Sequence, residues 1–330
     1  MSRGAILTGY AQVAAQHGVD PRAMLRRVGL DSRVLDDRER RVPARQIYEL
    51  LELSAQASGC ETFGLQMGAL RQPADVGPVA LLLAHQVTLR DALMTAARYQ
   101  PMLNEAMLFV VDDEEDFTSV RVELASDGQL PLRQSYELLA AISVQTLCSP
   151  AGPHRRPRMV CFTHSPPADL SHHKRVFGPN VKFASAFNGF VWNRADADCV
   201  SPAADPRLVE YAEGFIKNLP YANSAALAAE VQKTIHVMLP LNGASTKTVA
   251  ARLGLSERTM QRRLLQEEVE FSVLLNDIRR EHALRHLSNG RLPLSEVASL
   301  LGYTRETSFS RWFAHEFGTP PSNWRASHDR

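Results

Sequence analysis

ValAlaAlaArgLeuGlyLeuSerGluArgThrMetGlnArgArgLeu (249–264) and ValAlaSerLeuLeuGlyTyrThrArgGluThrSerPheSerArgTrpPhe (297–313) decide the fold, because they carry one device twice. Each copy reads as a short amphipathic helix, then Gly plus one apolar residue, then a second helix opened by a hydroxyl. Aligned on Gly254 and Gly302, Val249 and Val297 lie five residues before the glycine, and Ala250 and Ala298 four before it. Arg262 and Arg311 lie eight and nine residues after it. Two helices meet at a steep angle only where small residues let them approach, which suits the alanines. The bend between them needs a positive φ, which glycine adopts without steric cost. Ser256 and Thr304 are placed to cap the second helices by accepting a bond from a free backbone N–H. Met260 and Leu264, like Phe309 and Phe313, then point inward and leave an outward polar set that a DNA major groove accepts. One such hairpin also suits an ordinary helical core; two aligned copies with a basic outward face argue for a double helix-turn-helix.

Between the copies, Phe271–Asn289 reads as one helix of about 27 Å. Phe271, Leu274, Leu275 and Ile278 cluster on one face, and Ala283, Leu284 and Leu287 on nearly the opposite one. Such a switch predicts a strut serving two separate cores. Readers held about 34 Å apart enter successive major grooves on one side of the duplex.

The doubled motif, the linking helix and the ending GluPheGlyThrProProSerAsnTrpArg (316–325) resemble the DNA-binding domain of the AraC/XylS family of transcription regulators over about residues 222–327. The resemblance implies readout from Arg258, Gln261 and Arg262 in the first copy, and from Glu306, Thr307, Ser308, Ser310 and Arg311 in the second. Chemistry agrees for Arg258 and Arg262, one turn apart, since arginine forks match the O6 and N7 acceptors of guanine. Glu306 accepts from a cytosine amine but is repelled by phosphate. Arg279, Arg280 and Arg325 read as phosphate contacts, which position the protein without specifying sequence.

The 330-residue chain is long enough for two domains. We expect an α+β N-terminal domain over 1–217, with helices and a mainly antiparallel sheet, a linker over 218–224, and an all-α DNA-binding domain over 225–330. The two motifs fall at about 246–266 and 294–317. Residues 221–330 hold 14 Lys and Arg against 11 Asp and Glu, a net of +3, and the rest 23 against 25, a net of −2. The sign suits DNA at the C-terminal end, although the size alone decides little. A basic-then-apolar leader is lacking at 1–18, and no run of eighteen apolar residues occurs. A cytoplasmic protein without a membrane partner is therefore expected. Four scattered cysteines (Cys60, Cys148, Cys161 and Cys199) without a CxxC spacing fit reduced thiols.

In the front part, residues 1–70 read as helical throughout, with Ile6–His17, Pro21–Val28 and Pro43–Ser58 amphipathic. Residues 71–78 read as a loop, Val79–His85 as an apolar helix, and Thr88–Tyr99 as a helix capped by Thr88. At Ala106 the period changes. Residues 106–111 and 117–124 read as strands joined by an acidic turn, with Val120, Val122 and Leu124 inward. A long apolar helix (131–148), a strand (159–164), the segments 169–177, 181–183 and 189–192, and a helix from Pro206 complete the domain. The helical start, the AspValGlyPro loop (75–78) and the ThrLeuArgAspAlaLeu helix (88–93) resemble the arabinose-binding-type regulatory domain of one branch of the same family, seen in ornithine-responsive regulators. The match covers roughly residues 20–210. The resemblance implies a small-molecule effector of no fixed identity, a homodimer, and activation through RNA polymerase.

For the effector, Arg71 and Asp75 flank a proline-glycine loop, and Tyr99, Asn104, Tyr136 and Trp192 lie in segments expected around the sheet. No catalytic set has workable spacing, so no enzyme and no cofactor are expected. GlyAlaSerThrLysThr (243–248) lacks the GxxxxGK spacing of a phosphate loop, and GxSxG and HExxH are missing. His154, His164, His172 and His173 fall near Cys161 but read as ordinary surface and core side chains, so no metal is expected. Two alternatives stay open: a DNA-binding regulator whose front domain only oligomerises, and an enzyme fused to a helix-turn-helix. The latter needs a nucleophilic cysteine in a local signature such as ProCysHis, which none of the four has.

Overall fold

Strict alternation along Phe117–Leu124 makes a strand buried on one face, and this strand seats the front sheet. The computed structural model describes residues 1–124, 130–148, 156–217, 227–239, 244–253, 255–267, 269–288 and 292–328. The chain divides into two units, Met1–Asn223 and Ser224–Arg330. The expected linker at 218–224 lies outside the described residues, as do Gly254 and His154.

In the front unit the order is β1 (Ser2–Arg3), α1 (Tyr10–Gln16), α2 (Pro21–Arg27), β2 (Arg41–Val42), α3 (Ala44–Ser58), α4 (Phe63–Ala69) and α5 (Pro73–Val76). Then come α6 (Pro78–Ala84), α7 (Leu89–Leu103), β3 (Met107–Asp113), β4 (Phe117–Leu124) and α8 (Arg133–Cys148). Last are β5 (Met159–Cys161), α9 (Ser171–Phe177), β6 (Val181–Lys182), β7 (Gly189–Asn193), α10 (Arg194–Asp198) and α11 (Pro206–Lys217). The main sheet runs β3-β4-β7-β5-β6, antiparallel except for the parallel β5–β6 pair. Its inner face (Val120, Val122, Phe190, Trp192) shares one apolar cluster with α6, α7 and α8. A second cluster gathers α1, α2 and α3 around Tyr10, Leu50, Leu51 and Phe63.

Several expectations are corrected here. Residues 1–70 are not helical throughout: β1 pairs antiparallel with β2 as a two-stranded ribbon. Gly4 and Ala5 donate onward to Arg40 and Arg38 carbonyls, and residues 4–7 form a single 3₁₀ turn. Gly9, at φ 84°, then ends the expected Ile6–His17 run and lets α1 start afresh. The 71–78 loop contains α5, closed by a capping box between Gln72 and Asp75. Thr88 does cap α7, in a box with Asp91. Asp112 and Asp113 belong to β3 rather than to a turn; Asp112 accepts from Arg121 Nε at 3.0 Å, and Asp113 from the Thr118 hydroxyl at 2.8 Å.

The rear unit is all-helical among the described residues: α12 (Leu227–Met238), α13 (Thr246–Arg252), α14 (Glu257–Gln266), α15 (Phe271–Ser288), α16 (Leu294–Leu300), α17 (Glu306–Phe317) and α18 (Pro321–His328). Its apolar residues form one continuous cluster, from Met260 and Leu264 through Ile278, Ala283 and Leu287 to Phe309 and Phe313. The two faces of α15 therefore share one core instead of serving two. Partly buried Phe271, Leu274, Leu275 and Leu284 pack against that cluster.

Candidate nucleic-acid interface and effector cavity

Both hairpins bury the residues that their spacing puts inward. Val249, Ala250, Met260 and Leu264 are at most 1 % exposed, and so are Val297, Ala298, Phe309 and Phe313. In the first hairpin Ser245 and Thr248 close a capping box on α13. Ser256 caps α14 by accepting from Thr259 N–H at 3.1 Å. In the second, Gly302 makes the turn at φ 75°. Thr304 does not cap α17: the cap position falls on Arg305, in extended backbone and with no side-chain bond. The second turn is thus one residue longer, which accounts for the unequal spacing of the arginines from their glycines. Counted from the caps Ser256 and Arg305, the hairpins coincide: Met260 matches Phe309, Leu264 matches Phe313, and Arg262 matches Arg311.

Arg258, Gln261 and Arg262 are exposed on α14; on α17, Glu306, Thr307, Ser308 and Arg311 are exposed and Ser310 half-buried. Glu306 occupies the place of Glu257, in a first turn where a carboxylate faces the positive end of the helix dipole. The three other arginines part company. Arg279 donates from Nε to the Leu301 carbonyl at 3.2 Å and lies 4.6 Å over the Tyr303 ring, so it braces the second turn. Arg280 donates to Glu316 at 2.6 Å and sits 3.8 Å from Asp277. Arg325 is half-buried with Nε and Nη2 unpartnered. The aromatic brace of the second hairpin was not read from sequence, although Tyr303, Phe309, Trp312, Phe313 and Phe317 at helical spacing were its signal.

The front unit holds a cavity of about 790 Å³, its solvent-facing mouth included. Its walls come from the 3₁₀ turn (Ile6), α6 (Val79, Leu83), β3 (Met107, Phe109) and α8 (Leu139). Of the residues expected at the effector, Arg71, Asp75 and Asn104 line it. Tyr99, Tyr136 and Trp192 do not; they are buried in the sheet–helix cluster, where Tyr136 Oη accepts from Leu124 N–H at 3.3 Å. Ser2, Arg3, Gln100 and Thr146 also line the cavity and were not foreseen. Ala96, Gln100 and Asn104, at four-residue spacing, were the legible part of this set. Burial pushes the Arg71 guanidinium down to about 10, which still leaves it charged at neutral pH.

Away from the cavity, Glu137, fully buried, places Oε1 3.1 Å from His173 Nε2 and 3.5 Å from His164 Nε2. Among the described residues no group of three or more His, Cys, Asp or Glu is arranged to hold a metal. No described helix is long and apolar enough to cross a membrane.

Comparison with known proteins matches residues 18–200 to the family model of the arabinose-binding domain of AraC transcription regulators, and residues 249–327 to a helix-turn-helix domain model. The chain is 27 % identical to the HTH-type transcriptional regulator VirS of Mycobacterium tuberculosis, over 98 % of this chain and 96 % of that one. It is 24 % identical to the ornithine utilization regulator of Pseudomonas aeruginosa, over 95 % and 93 % respectively. Among solved structures, the transcriptional regulator CdpR of P. aeruginosa aligns with a TM-score of 0.45 at 21 % identity, over 93 % of this chain and 96 % of that one.

Proposed function

The chain belongs to the AraC family of transcription regulators, not to an enzyme family, and from that premise we propose that it is an effector-gated activator. It binds DNA through its helix-turn-helix region. In our reading, residues 1–217 bind a small molecule and dimerise, residues 225–330 read promoter DNA, and the bound dimer recruits RNA polymerase in the cytoplasm. The reading residues are Arg258, Gln261 and Arg262 on α14, and Glu306, Thr307, Ser308, Ser310 and Arg311 on α17. Arg325, half-buried on α18, is the proposed phosphate contact. Arg279 and Arg280 contribute positive potential while holding their helices in place.

The observation that carries the gating is the cavity: an apolar chamber whose wall includes a buried guanidinium nitrogen with no partner. A front domain that served only to oligomerise has no use for such a chamber. An effector shifts the regulator between two arrangements in proportion to its differential affinity for them. Selection of genomic fragments on the full-length protein, with and without a metabolite extract, tests the reading. We expect a shared site of about 20 base pairs whose recovery changes with the extract. An unchanged site and unchanged recovery would leave only DNA binding and overturn gating.

A further inference from the structure

The chemistry of the effector can be read from which polar groups on the cavity wall are already spent. Arg3 donates to the Val76 carbonyl and pairs with Glu39. Asp75 accepts from Arg38 at 2.9 Å and from Gln72 N–H at 3.0 Å. Asn104 Oδ1 accepts from Ala106 N–H at 2.9 Å, Gln100 Nε2 donates to the Asn104 carbonyl, and the Thr146 hydroxyl donates to Ile142 at 2.8 Å. Ser143 lines the cavity as well, and two lining residues keep a buried polar atom without a partner. Arg71, 5 % exposed, donates from Nη1 to the Ala5 carbonyl but leaves Nε unpartnered. Ser2, 1 % exposed, leaves its hydroxyl unpartnered.

The charges show the same vacancy. At this end of the cavity Glu39 answers Arg3 and Asp75 answers Arg38, and among the described residues Arg71 has no ion-pair partner. The charge of Asp75 reaches Arg71 without contacting it, so a buried cation with no contacting anion and a buried hydroxyl with no partner, both on the wall of one cavity, are costly until something negative meets them. Both free groups donate. A polyol leaves the guanidinium charge without a contacting anion. An amine needs a free carboxylate, and Asp75 is taken twice. A phosphate monoester brings close to two charges against one free cation.

Resting on the reading of this cavity as the effector site, we propose that its ligand is an amphiphilic monocarboxylate. The carboxylate accepts from Arg71 Nε and Ser2 Oγ, and an aliphatic or aryl body lies against Ile6, Val79, Leu83, Met107, Phe109 and Leu139. Charge-assisted bonds shielded from water give the head group its weight, and the apolar wall gives the tail its own.

The test uses the full-length chain and a set of probes sharing one tail (decanoate, decanol, decylamine and decyl phosphate), kept below their micelle concentrations, with phenylbutyrate, arabinose and a broad metabolite library alongside. Calorimetry and thermal shift should show a carboxylate binding about tenfold to a hundredfold tighter than the alcohol. Arg71→Met should abolish that preference, so that decanoate and decanol bind alike. Ser2→Ala should weaken carboxylate binding about threefold to tenfold and leave the alcohol unchanged, and this arm stands even if Arg71→Met fails to fold. Binding of the alcohol, amine, phosphate or arabinose as tightly as any carboxylate would overturn the head-group assignment while leaving effector sensing in place. Silence from every probe and from the library would overturn both.

Discussion

The two hairpins of the rear unit share a blueprint and differ in what holds them. The first is fastened locally: hydroxyl caps at Ser245 and Ser256 satisfy backbone donors, and its inward residues are the aliphatic Met260 and Leu264. The second has no side-chain cap on either helix, and depends instead on tertiary packing. Phe313 alone has ring contacts to Phe309, Trp312, Phe317 and Trp324, with the Phe317 centroid 4.4 Å away. Trp312 Nε1 donates to Asn276 Oδ1 on α15 at 3.2 Å, and Arg279 grips the turn from the same helix. Each second helix opens on a carboxylate, Glu257 or Glu306; the first hairpin exposes two of the arginines proposed to read DNA, Arg258 and Arg262, and the second exposes one, Arg311. One motif has thus been built once from local signals and once from the core.

The comparison breaks most visibly if the aromatic brace is cut. Phe313→Ala should cost about 3–5 kcal/mol in urea unfolding of the full-length chain, whereas Leu264→Ala, at the matching position, should fall lower in the 2–5 kcal/mol range for aliphatic truncations, at about 2–3 kcal/mol. A loss at Leu264 equal to that at Phe313 would mean that the first hairpin leans on the core as heavily as the second.

Acid should act on what the hairpins share. His282 on α15 is buried, with His236 on α12 and His286 on α15 half-buried against it and His236 Nδ1 2.9 Å from His282 Nε2. Burial, with Arg285 adding its charge, lowers all three from an ordinary 6.5: His236 and His286 to about 4, and His282 well below its usual range. Between those values the unfolded chain binds more protons than the folded one. Stability present above pH 6.5 is therefore lost as the pH falls towards about 4. Because the histidines sit on the scaffold helices, hydrogen-exchange protection, taken relative to the intrinsic rate at each pH, should fall in both hairpins together at pH 5. A fall confined to one would show that they unfold independently.

On DNA the difference should appear as unequal dependence on equivalent arginines. Arg262→Ala should cost about 1–3 kcal/mol on a selected site and relax preference at one base pair. Arg311→Ala, at the same place relative to its cap, should cost less, because Arg258 and Arg262 lie one turn apart on α14 and act together, whereas Arg311 has Thr307 in the place of Arg258. Equal losses on specific and random DNA would remove Arg262 from readout, and equal losses for the two arginines would make the hairpins equivalent readers.

What could be read in advance follows the same division. Local chemistry was legible: the hydroxyl at Ser256, the box at Thr88 and Asp91, and the alternation along Phe117–Leu124 all act within a few residues, so the sequence carries them whole. The lengthened second turn was half visible, as an arginine one place out of step with its partner copy. Nothing near Ser2 and Arg3 announces that they pair with Arg41 and Val42 and open onto a cavity, because that ribbon exists only through contacts some forty residues away. Three of the six expected effector residues reached the cavity by lying on one wall, around α5 and the end of α7. The aromatic trio of Tyr99, Tyr136 and Trp192 was absorbed by the core, where large side chains gain most from burial.

The smallest effect gives the sharpest contrast. Ser256 and Thr304 stand two residues past their glycines and are chemically alike, yet only Ser256 accepts a bond from its helix. Ser256→Ala should therefore cost about 1 kcal/mol, the usual worth of a hydroxyl cap. Thr304→Ala should cost close to nothing, since the residue is exposed and the extra position in the turn carries it off the cap. If deleting Thr304 from the turn moved Tyr303 into the Arg279 grip one residue early, the brace would be lost along with the extra length. Substitution leaves that spacing intact, so the paired alanine variants separate the cap from the turn. A measurable loss at Thr304 would place the cap there in solution and return the second hairpin to the local design of the first.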